Sequence, residues 1–245
     1  MSAVTCDEFY DGRLKLYQPK KGFRAGTDSL LLASALDATA LGNALEIGCG
    51  AGGALLTAAF RLPDMRFTGL EIESDMAALA RRSADANGCF ERVEIVEGSA
   101  ADLQRDWQNR FDLVFSNPPF FETGTIPAPG TGKDAAYLES VPLKDWINAM
   151  LFALRPKGRF VMVHRAADLA RILAVLERQA GEITVLPVHS YPGVEAKRVL
   201  VRARKALRPG PRRLLEPKYL YRSKGGERSD WALAIQRDGA GIDWN

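Results

Sequence analysis

The sequence predicts a doubly wound α/β domain on a seven-stranded, mostly parallel sheet. Three observations carry this. Short apolar runs alternate with longer helical patterns, a glycine-rich loop falls where the first run turns into the first helix, and an acid closes the second run. Taken in order, residues 44–47, 66–71, 93–96, 111–115, 159–164, 183–187 and 198–202 read as strands. Helical patterns occupy 53–61, 75–87, 143–154 and 167–179. Ser74 is placed to cap the second helix, and Asn87-Gly88 to stop it in a left-handed turn. Such alternation implies a parallel sheet covered on both faces.

Two segments break the pattern. Residues 121–133 are rich in Gly, Pro and Thr and directly follow a strand, where a long loop is usually functional. Residues 207–211 (Leu-Arg-Pro-Gly-Pro) read as a bend, beyond which a short stretch ends in a helix near 230–237. The expected organisation is an N-terminal extension over 1–42, a main domain over 43–206, and a basic appendage over 207–245 packed on the same domain.

Bulk properties narrow the class. With 245 residues, 47% hydrophobic and 26% charged, the chain suits one large domain with a small addition. No apolar stretch approaches the roughly 20 residues needed to cross a bilayer. Residues 1–12 lack an export pattern, and three cysteines without C-x-x-C spacing argue against disulfides or structural zinc. A cytoplasmic protein without a metal is expected. Net charge is only +3, yet between Lys197 and Arg228 twelve bases face two acids, Glu216 and Glu227. That surplus is either a solvated face or a footprint for a polyanion. On the second reading Arg212, Arg213, Arg222 and Lys224 reach nucleic acid from irregular chain, whereas the bases of 197–205 point outward from a strand with Val199 and Val201 facing inward.

The run Glu46-Ile-Gly-Cys-Gly-Ala-Gly-Gly53 lets a backbone approach a ligand without an intervening Cβ and presents free N–H groups of a helix start. Glu71 closes the next strand, at a spacing where an acid can hold both hydroxyls of a ribose. Gly48, Gly50 and Gly52 follow G-x-G-x-G, unlike the G-x-G-x-x-G of a dinucleotide site.

The other informative run is Asn117-Pro118-Pro119-Phe120, at the carboxyl end of the fourth strand. An aromatic amino nitrogen is a poor nucleophile because its lone pair is delocalised. Two acceptors aimed at its N–H bonds, the Asn117 side-chain oxygen and the Pro118 carbonyl, would draw it toward tetrahedral geometry. The prolines fix those acceptors beforehand, and Phe120 offers a face for the target ring.

The glycine run resembles the first motif of class I S-adenosylmethionine-dependent methyltransferases. The resemblance implies that Gly48, Gly50 and Gly52 wrap the cofactor, with Glu46 near its ammonium, Glu71 at the ribose, and Ile72 and Asn117 among its further contacts. It places Ser99 and Ala100 beside the adenine ring, leaving Asp102 as an alternative contact or as a cap for the next helix. The Asn-Pro-Pro-Phe run resembles those of enzymes that methylate the amino groups of adenine, guanine or a glutamine side chain. Residues 18–33, with Gly26-Thr27-Asp28, resemble the signature of bacterial valine-tRNA adenine methyltransferases, and this likeness extends over most of the chain. It implies an N-terminal segment that closes over the cofactor, with Thr27 touching it. It also implies a tRNA substrate methylated at the adenine 6-amino group beside the anticodon, and substrate contacts from Arg24, Pro119, Phe121 and a loop base, Lys133. On residue type alone, Asp28 could instead cap a helix over 29–36. The competing readings are a ribosomal RNA guanine or protein glutamine methyltransferase, or an RNA-binding module without catalysis.

Overall fold

The computed structural model describes residues 3–22, 24–37, 42–119 and 141–245. The chain opens with an antiparallel hairpin that the strand reading did not include: β1 (Val4–Phe9) pairs with β2 (Leu14–Pro19) from Val4↔Pro19 to Phe9↔Leu14. Leu14, Leu16 and Gln18 alternate inward while Lys15 is exposed. Helix α1 (Thr27–Ser34) follows, and Leu30, Leu31 and Leu32 are all buried, so the helix is apolar around its circumference. Its N-cap is Gly26 without a side-chain bond. Asp28, open to a capping role by sequence, instead accepts from Arg198 Nε at 2.9 Å.

Then come β3 (Gly42–Ile47), α2 (Gly53–Arg61), β4 (Met65–Glu71), α3 (Ser74–Ala86), β5 (Val93–Glu97) and β6 (Phe111–Ser116). The second half holds α4 (Leu143–Ala153), β7 (Leu154–Arg165), α5 (Leu169–Leu176), β8 (Ala180–His189) and β9 (Ala196–Lys205). All seven expected strands are present, each within five residues of its expected ends. Ser74 does not cap α3: Glu73 holds the N-cap position, and the Ser74 hydroxyl donates to Glu97 at 2.7 Å.

The sheet runs β5-β4-β3-β6-β7-β9-β8, with β9 antiparallel to both neighbours. It is wider than the seven strands expected, because β10 (Arg213–Leu214) and β11 (Lys218–Tyr219) add to β8 in parallel, making nine among the described residues. Two-residue strands carry too little alternation to be read from sequence. One face carries α1, α2 and α3 and the other α4 and α5, each over its own apolar cluster. After β3 the chain winds outward to β5 and returns to the other side of β3 as β6. The order reverses there, and in such sheets the crevice for a ligand opens at the carboxyl ends of the two strands.

The C-terminal residues belong to the same core. After α6 (Asp230–Leu233), Ile235 in the π-turn Ala234–Asp238 and Ile242 and Trp244 beyond it are buried in the cluster beneath α1 and α2. The Ile242 N–H donates to Ser34 O at 2.8 Å and the Trp244 indole to Ala35 O at 3.0 Å. Arg61 donates to the carbonyls of Ala33 and Gly239. Carbonyls at the end of α1, which have no partner inside a helix, are thereby satisfied: Ser34 and Ala35 by the tail, and Ala33 by Arg61 of α2.

Candidate active site

The loop leaving β3 turns through Gly48 (φ 73°), Gly50 (φ 56°) and Gly52 (φ 87°), a left-handed conformation that side chains with a Cβ adopt only under strain. At Gly48 a Cβ would also lie 2.8 Å from the Trp146 ring. The loop is tied to the neighbouring strand: Gly48 and Cys49 donate to Leu70 O at 2.8 and 3.0 Å, and Gly50 donates to Glu71 Oε2 at 2.7 Å. Glu71 Oε1 accepts from the Glu73 N–H at 2.9 Å. Two backbone donors thus orient this buried carboxylate, and each oxygen retains acceptor capacity. Cys49 packs against Gly69, and burial pushes its thiol well above the usual range, so it fills space rather than reacts.

Two cavities meet at Gly48. The first, about 350 Å³, is lined by Glu46, Asn117, Gln18, Ala25, Ser29 and residues of the glycine loop. Glu46 is 2% exposed, and its Oε2 has no hydrogen-bond partner among the described residues; nor has Asn117 Oδ1. Burial raises the Glu46 carboxyl well above the usual carboxylate range, the nearby Glu71 adds to this, and the Leu55 N–H opposes it. Two unmatched acceptors in one cleft suit a ligand that brings a cation and N–H groups. The second cavity, about 250 Å³, is apolar: Ile47, Leu70, Ile72, Val141 and Trp146 line it with Ser99 and Ala100. Ile72 is left 43% exposed there, an uncovered hydrophobe that a flat ring would cover.

A bonded relay joins the elements around the crevice. The Trp146 indole donates to Ser116 Oγ at 2.9 Å, and the Ser116 hydroxyl donates to Ile47 O at 2.7 Å. The α4 side chain that covers Gly48 is thus pinned to the ends of β6 and β3. On the opposite wall, Gln18 accepts from the Ala25 N–H at 2.6 Å and donates to Asp7 at 2.6 Å.

The structure therefore gathers Glu46, Gly48 and Asn117 at one cavity, and Gly48, Ile72, Ser99 and Ala100 at the other, with Glu71 beneath the loop. Between the two adenine contacts left open, Ser99 lines the cavity and Asp102 is exposed. Asp102 caps no helix either, since the next turn, Arg105–Trp107, has Gln104 at its N-cap. Gly52 shapes the turn, Pro118 is buried and Pro119 half-buried. Thr27 is half-buried, but Ala25 and Ser29 line the cavity rather than it. Arg24 is bonded to Asp7, Thr5 Oγ1 and the Pro19 carbonyl. Phe120, Phe121 and Lys133 lie outside the described residues. Sequence reasoning missed Gln18 and Met76, which line the first cavity, and Trp146, which lines the second. The inward alternation of β2 could have flagged Gln18, while nothing local marks Trp146.

A doubly wound sheet whose switch point carries this glycine loop, an acid at the end of the next strand, and a cleft joining a polar to an apolar lobe defines an S-adenosylmethionine-dependent methyltransferase. Residues 44–158 match the family described as Methyltransferase domain. A tRNA1(Val) (adenine(37)-N6)-methyltransferase of Porphyromonas gingivalis is 32% identical over 205 residues, 79% of each chain. A release factor glutamine methyltransferase of Chlorobaculum tepidum is 40% identical over only 92 residues, 37% of this chain and 31% of that one. A crystal structure described as a predicted O-methyltransferase from Agrobacterium tumefaciens superposes with a TM-score of 0.70 at 25% identity, covering 88% of this chain and 98% of that one. The chain belongs to the tRNA1(Val) (adenine(37)-N6)-methyltransferase family.

Proposed function

We propose that this enzyme methylates the 6-amino group of an adenine in cytoplasmic tRNA, at the position beside the anticodon. The observation that carries the chemistry is Asn117 Oδ1, buried just after β6 in the same cavity as Glu46 and without a hydrogen-bond partner among the described residues. S-adenosylmethionine supplies an electrophilic methyl group on a sulfonium sulfur. Glu46 would hold its ammonium, Glu71 its ribose hydroxyls, and Ile72, Ser99, Ala100 and Trp146 its adenine ring.

Asn117 Oδ1 accepts one N–H of the target amine and the Pro118 carbonyl the other, which frees the lone pair toward the methyl. Transfer of the methyl from sulfur to nitrogen would leave the nitrogen cationic and its proton acidic, so solvent could take it without a strong base. Alignment of nitrogen, methyl and sulfur lowers the rest of the barrier. Stacking by Phe120, and the contacts expected of Phe121 and Lys133, remain proposals from sequence.

The 79% coverage of the adenine-modifying relative favours adenine over the glutamine reading, whose match is confined to 37% of the chain. The test is transfer of labelled methyl to tRNA from a strain lacking this enzyme, followed by nucleoside mass spectrometry. 6-Methyladenosine is expected. Label in a guanine nucleoside or in protein would refute the adenine assignment. Asn117→Ala should lose on the order of a hundredfold in turnover while calorimetric cofactor affinity stays within a few-fold of the parent.

A further inference from the structure

The basic stretch of 197–228 is divided by the sheet into two groups at opposite edges. Strand β6 is parallel to β7, with Ser116 opposite Met162. Strand β9 is antiparallel to β7, with Arg165 opposite Arg198. Strand β8 places His189 opposite Ala196, and β11 places Tyr219 opposite His189. The ends at Ser116, Arg165, Ala196, His189 and Tyr219 therefore share one edge, the edge that bears Asn117. At about 4.8 Å per strand, the four steps from β6 to β11 span roughly 19 Å.

Arg208 lies elsewhere: its carbonyl packs against Gly181, near the start of β8, at the far edge. Arg213 pairs with Thr184, five residues short of His189 and so roughly 17 Å back along the strand. Arg212 is taken up by Glu177 at 2.7 Å. Of the four bases that sequence alone would send to nucleic acid, Arg212 and Arg213 thus lie away from the catalytic edge, while Arg222 and Lys224 lie at it.

At the catalytic edge the chain forms a braced turn. Tyr221 bridges Arg228, Arg222 N–H donates to Glu227 O at 2.9 Å, and Tyr221 N–H donates to Ser190 O at 2.8 Å, fastening the turn to the end of β8. Lys197 and Lys224 are exposed and Lys218 is half-buried, and none pairs with an acid among the described residues. Arg228 lies 5.4 Å above the Tyr221 ring, and Tyr219 sits 5.4 Å from His189, so flat rings stand among the cations. Four acids are near in sequence: Glu195, Glu216 and Glu227 are exposed, and Asp230 is paired with Arg222 at 2.7 Å.

We propose that Lys197, Lys218 and Lys224, with the Tyr221–Arg228 turn, form the surface that grips the RNA backbone flanking the target base. This rests on the tRNA reading above. A phosphate chain matches unpaired cations beside aromatic rings better than an acidic protein does, since successive bases can stack while the lysines meet phosphates. Such contacts position the strand without choosing the base.

The test compares Lys197→Ala/Lys218→Ala/Lys224→Ala with Arg212→Ala/Arg213→Ala for binding of unmodified tRNA across salt concentrations. Cofactor titration and circular dichroism confirm that each variant is folded. The lysine variant should bind about tenfold or more weakly, and its log–log salt slope should shrink by roughly 2 to 3, at about 0.7–0.9 for each phosphate no longer neutralised. It should still yield 6-methyladenosine, and the arginine variant should match the parent. Unchanged affinity and slope in a folded lysine variant, or a larger loss in the arginine variant, overturns the assignment while the parent's methylation of tRNA stands. A parent that methylates no tRNA overturns the substrate reading, and this surface with it.

Discussion

Glu46 and Asn117 are the side chains on which the site turns, and Glu46 Oε2 and Asn117 Oδ1 have no hydrogen-bond partner among the described residues. Glu46 has its folded pKa raised, so the unfolded chain ionises first. Its contribution to stability is present below the ordinary carboxylate value of 4.5 and is lost as pH rises through the folded value. The raised Glu71 carboxyl acts in the same sense. A bound ammonium reverses the penalty at Glu46, so in that window cofactor binding should release a proton and tighten as pH rises. Calorimetry in buffers of differing ionisation enthalpy reads the proton directly. Glu46→Gln should abolish the release attributable to this group and weaken binding by about 1.5–3 kcal/mol, the worth of a charged hydrogen bond. Proton release unchanged in that variant would place the ammonium elsewhere.

At the scale of elements, α1 is the helix that the two ends of the chain enclose together. Its apolar circumference must be covered on every side, and the C-terminal tail covers one of them. Trp244, 4% exposed, fills that side, bonds the Ala35 carbonyl and lies 4.8 Å under the Arg202 guanidinium. Trp244→Ala should cost about 3–5 kcal/mol in denaturant unfolding, and Trp244→Phe less, since the ring volume largely stays. Because α1 starts just after Ala25 and contains Ser29, both of which line the cleft, the Ala variant should also bind cofactor more weakly. Equal stability in the Ala variant would show the tail to be a passive covering.

The whole molecule joins two walls that are distant in sequence, Gln18, Ala25 and Ser29 on one side and Glu46 and Asn117 on the other. A cofactor between them should bind only the folded arrangement. At a hundredfold excess over its dissociation constant it should raise unfolding free energy by about 2.7 kcal/mol, with protection from proteolysis extending to the hairpin. A thermal shift with protection confined to residues after 42 would show that the N-terminal wall stands apart from the ligand. The seven principal strands, the glycine loop, Glu71 and the Asn-Pro-Pro run were legible in the sequence, because each is a local pattern: a period of two or 3.6, a left-handed turn that only glycine adopts without strain, a proline-fixed strand end. The partners were not. Ser74 and Asp28 look like caps by their neighbours in sequence, yet Glu97 and Arg198 take them across space. Arg212 looks free until Glu177 folds against it, and Arg24 until Asp7 does. Trp146 is an ordinary helix residue until Ser116 turns its ring over Gly48. Residue types and periods determine which elements form and where the sheet opens. Which charge is spent inside the protein and which stays free for a ligand depends on contacts between residues far apart in the chain, and only the tertiary structure decides those.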